Sequence, residues 1–455
     1  MPAKGCKARE RSVNSTPMRL FLIAAGLLAA GCTGGPAVTA TVQPGTAPGA
    51  TPVAAAFDSA RAAEFFAEAA QLCGGEGGRL WGVSLCGPMV IADPLTKAIA
   101  TNRPAPAAPR PAALGYANSA MTWGGTRWTT LVWQHVAGAT DEQRRVLLVH
   151  ELFHRVQPDL GFFLPEPSND HLDTFAGRYW LQLEWRALAE ALRRPRADGL
   201  AALRDALAFR AARHHEFPGA VENERVLVIN EGLPQYTGTV VAFADHAQAA
   251  SSTVEQLAVM ARKESYVRTF AYASGAAYGV LLDAWSPGWT RSLSASDDLA
   301  LLLMAAAKID PVALPDADEA AKRYDGEALR SAERRREAEL AARVAELRRR
   351  FVEGPVLILP KGNSASFATD GMTPIPGEGM IFPRYRTTTA WGSLDGDQVL
   401  VGDSLLRVPA PARVEGDTLR GEGWTVDLAE GWVVRPGVRP GDFTVARRQA
   451  GTGEE

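Results

Sequence analysis

The stretch LLVHELFHRV, residues 147–156, sets His150 and His154 four positions apart with Glu151 between them. On an α-helix, residues i and i+4 stand one above the other on one face, so two imidazoles can meet a single ion. Glu151 then lies beside them, within reach of a water at that ion but badly placed to ligate it. That is the mechanical basis of His-Glu-x-x-His as two zinc ligands plus a general base. The local setting is helical. Thr140 and Gln143 form a capping box, and Leu147, Leu148 and Phe153 give the stretch an apolar face that stops before Pro158. The competing reading is a core helix that happens to carry two histidines. With seven histidines in 455 residues, a pair at this spacing favours the ligand reading.

A catalytic zinc (Zn2+) site needs a third protein ligand and an open position. A third histidine in the pattern HExxHxxGxxH is excluded, because residues 157 and 160 are Gln and Leu. A glutamate from a later helix remains, and two qualify: Glu184 in YWLQLEWRAL and Glu231 in VINEGLPQYTG. Glu184 shares its helix with Trp180, Leu181, Trp185 and Leu188 at core spacing, which reads as structural or as a support behind the ligands.

The segment Asn230-Glu231-Gly232 with Tyr236 resembles the N-E-G segment that supplies the glutamate ligand in gluzincin peptidases, the thermolysin-like, aminopeptidase-N-like and "peptidase MA-like" enzymes. Downstream, Tyr272-Ala-Ser-Gly275 is similar to the Tyr-x-x-Gly segment whose tyrosine hydrogen-bonds the oxyanion in the aminopeptidase-N-like branch. The order HExxH, NEG, YxxG is shared, over about residues 115–290. The resemblance implies His150, His154 and Glu231 as metal ligands, Glu151 as base, Tyr272 as oxyanion donor, and a peptide or protein substrate. It also implies that the strand RWTTLVW, 127–133, is the sheet edge that receives an extended peptide by strand addition. Tyr236 and Tyr278 compete for the tyrosine role, with Tyr278 better placed for packing. The chain departs from the pattern twice. His154 and Glu231 are 77 residues apart, which demands a helical insertion, and Gln235 stands where many relatives have a carboxylate orienting a histidine. No counterpart of the G-x-M-E-N segment is evident in SAMTWGG, 119–125, which leans towards an endopeptidase. The alternatives are a catalytically inactive zincin-fold envelope lipoprotein that binds or assembles, and hydrolysis of a non-peptide amide or an epoxide.

The rest of the chain reads as an α+β protein: a mainly helical zincin-like domain with a small edge sheet, followed by an all-β domain. Helical periodicity runs through 57–72, and further helices are expected at 173–194, 198–213, 224–237 and 265–285. A charged helix spans 316–352, with an apolar stripe of Leu340, Val344, Leu347 and Phe351 and the pairs Glu339/Arg343 and Glu346/Arg350. After Gly354, VLILP, SASFA, QVLVG, LLRVP, TLRGEGWTVDL and GWVVRP are short strand candidates parted by Gly, Pro and Asp, as in a small sandwich or barrel. The expected organisation is 57–114 as an N-terminal α/β segment, 115–354 as the metallopeptidase domain, 355–447 as the β-domain and 448–455 as a disordered tail. His171, His214 and His215, in acid-neighboured polar segments, read as surface histidines.

Residues 18–32, MRLFLIAAGLLAAGC, combine one positive charge with an apolar run shorter than the ~20 residues a membrane span needs. They read as an export signal, 1–32, with Met18 a candidate start. LLAAGC resembles a bacterial lipobox, which would make Cys32 the lipidated membrane anchor; residues 33–56 have the uncharged Pro/Gly/Ala/Thr composition of a flexible tether. The implied location is the bacterial cell envelope, or secretion. Export leaves Cys73 and Cys86 as a pair suited to one disulfide, since their spacing fits no CxxC-type metal site. A net charge of −3, with no aromatic-interleaved basic run, gives no reason to expect a nucleic-acid partner.

Overall fold

The computed structural model describes residues 56–448 except Pro195, Ala244, Ser364, Thr369 and Asp370. The expected export signal with Cys32, the expected tether up to residue 55 and most of the expected tail, residues 449–455, lie outside the described residues. The protein is α+β, with helices and one small sheet up to residue 353 and strands beyond.

Helix α1 (Ser59–Glu76) begins where the Asp58 carboxylate accepts the amides of Ala60 and Arg61, and it buries Phe65, Phe66 and Ala69. The expected Cys73–Cys86 disulfide is formed and closes the Gly-rich loop that follows, with its Cα atoms 5.2 Å apart. Four strands build the first sheet: β1 (Met89–Ala92), β2 (Ile99–Thr101), β3 (Ser119–Trp123) and β4 (Thr126–Val132), in the order β2-β1-β4-β3. One expectation changes here. The RWTTLVW strand is β4, which lies inside the sheet, parallel to β1 and antiparallel to β3, so the free edge beside it is β3. Residues 57–114 hold α1, β1 and β2, and these two strands share their sheet with β3 and β4. Four consecutive buried residues in β1 carry no alternation to mark a strand, and that strand displaces β4 from the edge.

A short helix α2 (Trp133–Ala137) leads to α3 (Asp141–Val156), which carries the histidine pair. Its capping box is formed as expected: Thr140 accepts from the Gln143 amide, and the Gln143 side chain accepts from the Thr140 amide. The stretch between the histidines and Glu231 holds the helix pair α4 (Phe175–Arg193) and α5 (Leu200–Glu216), followed by α6 (Ala220–Leu227). It brings its own buried ionic cluster. Arg213 bonds Glu184 at 2.5 Å and Glu224 at 2.8 Å, Arg210 bonds Asp298 at 2.6 Å, and the Tyr278 hydroxyl donates to Glu184 at 2.7 Å. His171 and His214 sit at 2.9 and 3.0 Å from Glu224 and are not surface histidines; His215 is exposed. Their polar neighbours in sequence concealed a buried partner from another helix.

The expected helix 224–237 is divided. After α6 the backbone passes through a π turn, Val228–Gly232, before α7 (Leu233–Ala242). Helices α8 (His246–Met260) and α9 (Thr269–Trp285) complete the packing around it, and α10 (Leu299–Ala306) follows. The expected 316–352 helix is likewise interrupted. It consists of α11 (Ala317–Ala321) and α12 (Gly326–Arg348), parted by Asp325 at φ 52. Its stripe is buried only at the end: Leu347 and Phe351 pack on Ile375, Ile381 and Leu400, while Leu340 is exposed. The expected i,i+4 pairs give way to other partners. Glu346 pairs with Arg349, Arg350 bonds Gln398, and Arg343 bonds the Gly371 carbonyl.

From Val356 the chain forms a six-stranded and a seven-stranded sheet. Leu357, Leu406 and Val408 from one and Leu394, Leu419 and Val426 from the other share one core, as in a sandwich. The six stretches expected as strands are strands, with TLRGEGWTVDL folded as the hairpin Thr418–Gly421 and Trp424–Leu428. Thr373–Ile375, Gly379–Phe382, Tyr385–Thr389, Gly392–Gly396, Arg413–Glu415 and Phe443–Arg447 are further strands, mostly too short or too Gly- and Thr-rich to show a period. Among the described residues, no helix is long and apolar enough to cross a membrane.

Candidate metal centre

Leu148, Val149, Leu152 and Phe153 are fully buried, which turns the histidine face of α3 inward onto α7. His150 Nε2 and His154 Nε2 stand 3.0 Å apart, and Glu231 Oε2 lies 3.6 Å from each. The centre of that triangle is about 2.0 Å from every corner, which is the bond length of imidazole and carboxylate ligands to a small divalent ion. His150, His154 and Glu231 could therefore hold a metal ion, and no other such group of three occurs among the described residues. Glu184 does not join them, being fully buried against Arg213 and Tyr278.

The π turn explains how Glu231 arrives. A π turn holds one residue more than the α register, and such bulges re-aim a side chain without ending the helix. The turn presses on α9 at a contact between two glycines. A Cβ on Gly275 would stand 2.2 Å from the Gly232 Cα, and one on Gly232 would stand 2.9 Å from the Gly275 Cα. The glycines of NEG and YxxG are thus the two halves of one close approach. Gly275→Ala is expected to force these backbones apart and to lower stability by about 1–3 kcal/mol, as overpacking does. Denaturant unfolding checks this, and an unchanged midpoint would contradict it.

Two glutamine amides orient the imidazoles. Gln157 donates from Nε2 to the carbonyls of Phe162, Ile229 and Asn230, so its Oε1 is left to accept from His154 Nδ1 at 2.7 Å. Gln235 Oε1 lies 3.2 Å from His150 Nδ1. Both contacts assign the ring proton to Nδ1 and turn the Nε2 lone pairs towards the centre. Asn230 clamps the loop after α3, bonding the amide and carbonyl of Leu164 at 3.0 and 2.7 Å.

Four buried polar groups around the centre have no hydrogen-bond partner in the protein: both oxygens of Glu151, Glu231 Oε2 and the Tyr272 hydroxyl. Orphaned buried polar atoms are costly, and here they converge where an ion, water and a substrate carbonyl would meet them. Tyr272 stacks on His150 with ring centroids 5.6 Å apart, and burial together with Glu231 pushes its hydroxyl well above its ordinary pKa, so it remains a proton donor. Tyr236 bonds Asp283 and Tyr278 bonds Glu184, which leaves Tyr272 as the tyrosine facing the centre.

Charge is arranged to match. Burial opposes ionisation of Glu231, but the two imidazoles outweigh it and hold the carboxyl well below the usual range. Burial lowers the pKa of His150, while at His154 burial is overcome by Glu231 and the pKa rises. Burial pushes Glu151 up to about 8, and a cation nearby would draw it down. Arg155, next to His154, reaches the carbonyls of Ser84, Leu85 and Cys86 and ties α3 to the disulfide loop.

Gln157 went unrecognised in the sequence although it lies three residues after His154, on the neighbouring face of the helix. Arg268, which bonds Glu231, was also missed; its place four residues before Tyr272 was the available sign. Compared with known proteins, the chain matches no family model, no curated protein and no solved structure.

Proposed function

We propose that the chain is an exported zinc metallopeptidase that hydrolyses peptide bonds, of the gluzincin type that the order HExxH, NEG, YxxG resembles. The observation that carries this reading is the meeting of His150, His154 and Glu231 at ligand spacing, with Glu151 and Tyr272 unpartnered beside them. When bound, zinc supplies Lewis acidity and makes water a nucleophile near neutral pH. Glu151 takes the proton of the attacking water at a carboxylate oxygen and returns it to the leaving amine. Tyr272 donates its O–H to the oxygen that becomes negative, a contribution typically of ~3 kcal/mol.

The substrate is a peptide or protein, and β3 offers the free sheet edge on which an extended segment can add as a strand. The working place is the bacterial envelope, with Cys32 as lipid anchor, or outside the cell. The test is hydrolysis of an unstructured protein such as casein, read as new N-termini. Activity is expected to vanish on chelator treatment and to return with zinc. Stoichiometric zinc without turnover on a broad peptide library would instead support an inactive zincin-fold lipoprotein that binds or assembles.

A further inference from the structure

Arg268 occupies the N-cap position of α9, one turn before Tyr272. Its guanidinium forks between two carboxylates. Nη2 donates to Glu231 Oε1 at 3.2 Å, and the same group is paired with Glu166. Glu231 is fully buried and divides its oxygens: Oε2 faces the two imidazoles and Oε1 faces Arg268. Glu166 stands between Pro165 and Pro167, residues that fix their own φ, so the far arm of the fork is anchored on stiff backbone.

We propose that Arg268 is a positioning residue for the metal centre, holding one oxygen of Glu231 so that the carboxylate offers the ion only the other. This rests on the reading of His150, His154 and Glu231 as zinc ligands. Three physical points support it. A carboxylate free to rotate can present both oxygens and fill the position that a hydrolytic site keeps open. A hydrogen bond from a cation to Oε1 fixes that rotation and also offsets the cost of burying the charge. Arginine suits the task because its planar fork spans two carboxylates at once, whereas lysine is a point charge with no fork.

The experiment measures zinc affinity of the whole protein by competition with a chromogenic chelator, for wild type, Arg268→Gln, Arg268→Lys and Glu166→Gln. Partners one step behind metal ligands typically contribute about 10–100-fold in affinity. Arg268→Gln is expected to lose that much, Arg268→Lys to recover part of it, and Glu166→Gln to lose less. Cobalt-substituted protein gives a second readout, since cobalt's visible bands weaken as the ion gains a ligand atom; Arg268→Gln should weaken them. Thermal unfolding of the metal-free variants separates positioning from folding. Wild-type zinc affinity and an unchanged cobalt spectrum in Arg268→Gln would overturn the proposal. So would a loss of affinity that only accompanies a loss of metal-free stability, with no recovery in Arg268→Lys. A wild-type protein that binds no zinc would instead remove the hydrolase reading, and the assignment with it.

Discussion

Glu151→Gln is expected to lower kcat/KM for peptide hydrolysis by about 10²–10⁴-fold, the usual worth of a positioned general base, while zinc stays bound. The substitution preserves shape and removes only the ability to take a proton. Both Glu151 oxygens lie buried without a protein partner, so the variant breaks no hydrogen bond within the fold. Burial raises the Glu151 carboxyl to about 8, and the neutral amide of glutamine needs no charge in that place, so the variant should be no less stable than wild type. Zinc content and steady-state kinetics on one peptide decide the matter. Equal activity in the two proteins would end the hydrolase reading, because the other unpaired carboxylate oxygen at the centre, Glu231 Oε2, is there taken as a ligand.

Arg213→Met should cost about 3–5 kcal/mol, the typical penalty for leaving a buried charge without its partner. Arg213 is fully buried and holds Glu184 and Glu224 together, so the variant removes the cation that these two buried carboxylates share. The effect has a pH signature. Burial opposes ionisation of Glu224, but Arg213 outweighs it and holds the carboxyl well below its usual range. The stability Glu224 contributes is therefore fully present above the unfolded carboxyl value, ~4.3, and is lost as the pH falls through the folded value. The gap between variant and wild type should be widest near neutrality and should narrow in acid. Urea unfolding across that range checks both magnitude and sign. A gap under about 1 kcal/mol would mean that α4, α5 and α6 are held by packing alone.

What could be read beforehand was local. A capping box and a 3.6-residue spacing lie within one stretch of chain, so α3 and the histidine pair were legible. The disulfide was legible because the body holds two cysteines. Glu231 could be chosen only through a motif, since nothing in composition announces that a helix takes on an extra residue at 228–232. The edge strand was misassigned because β1, four apolar residues long, has no period by which to claim a place in the sheet. His171 and His214 were misread because their partner Glu224 is distant from His171 in sequence and is brought in by the packing of α6. The Gly232–Gly275 contact joins two motifs that look unrelated when each is read alone.

The π turn also makes the ligand set a question of helical phase. Each residue of an α-helix advances about 100° around the axis. Were the chain to run from Ala220 to Ala242 in unbroken α register, the residues beyond the turn would be out of step by that much with those before it. Glu231 and Gln235, four apart, would still share one face, but that face would be turned by that much relative to Ala220–Leu227, whose Glu224 is fixed on Arg213. The aim of one carboxylate thus depends on a single surplus residue, kept in place by neighbouring helices rather than by any local preference of the sequence.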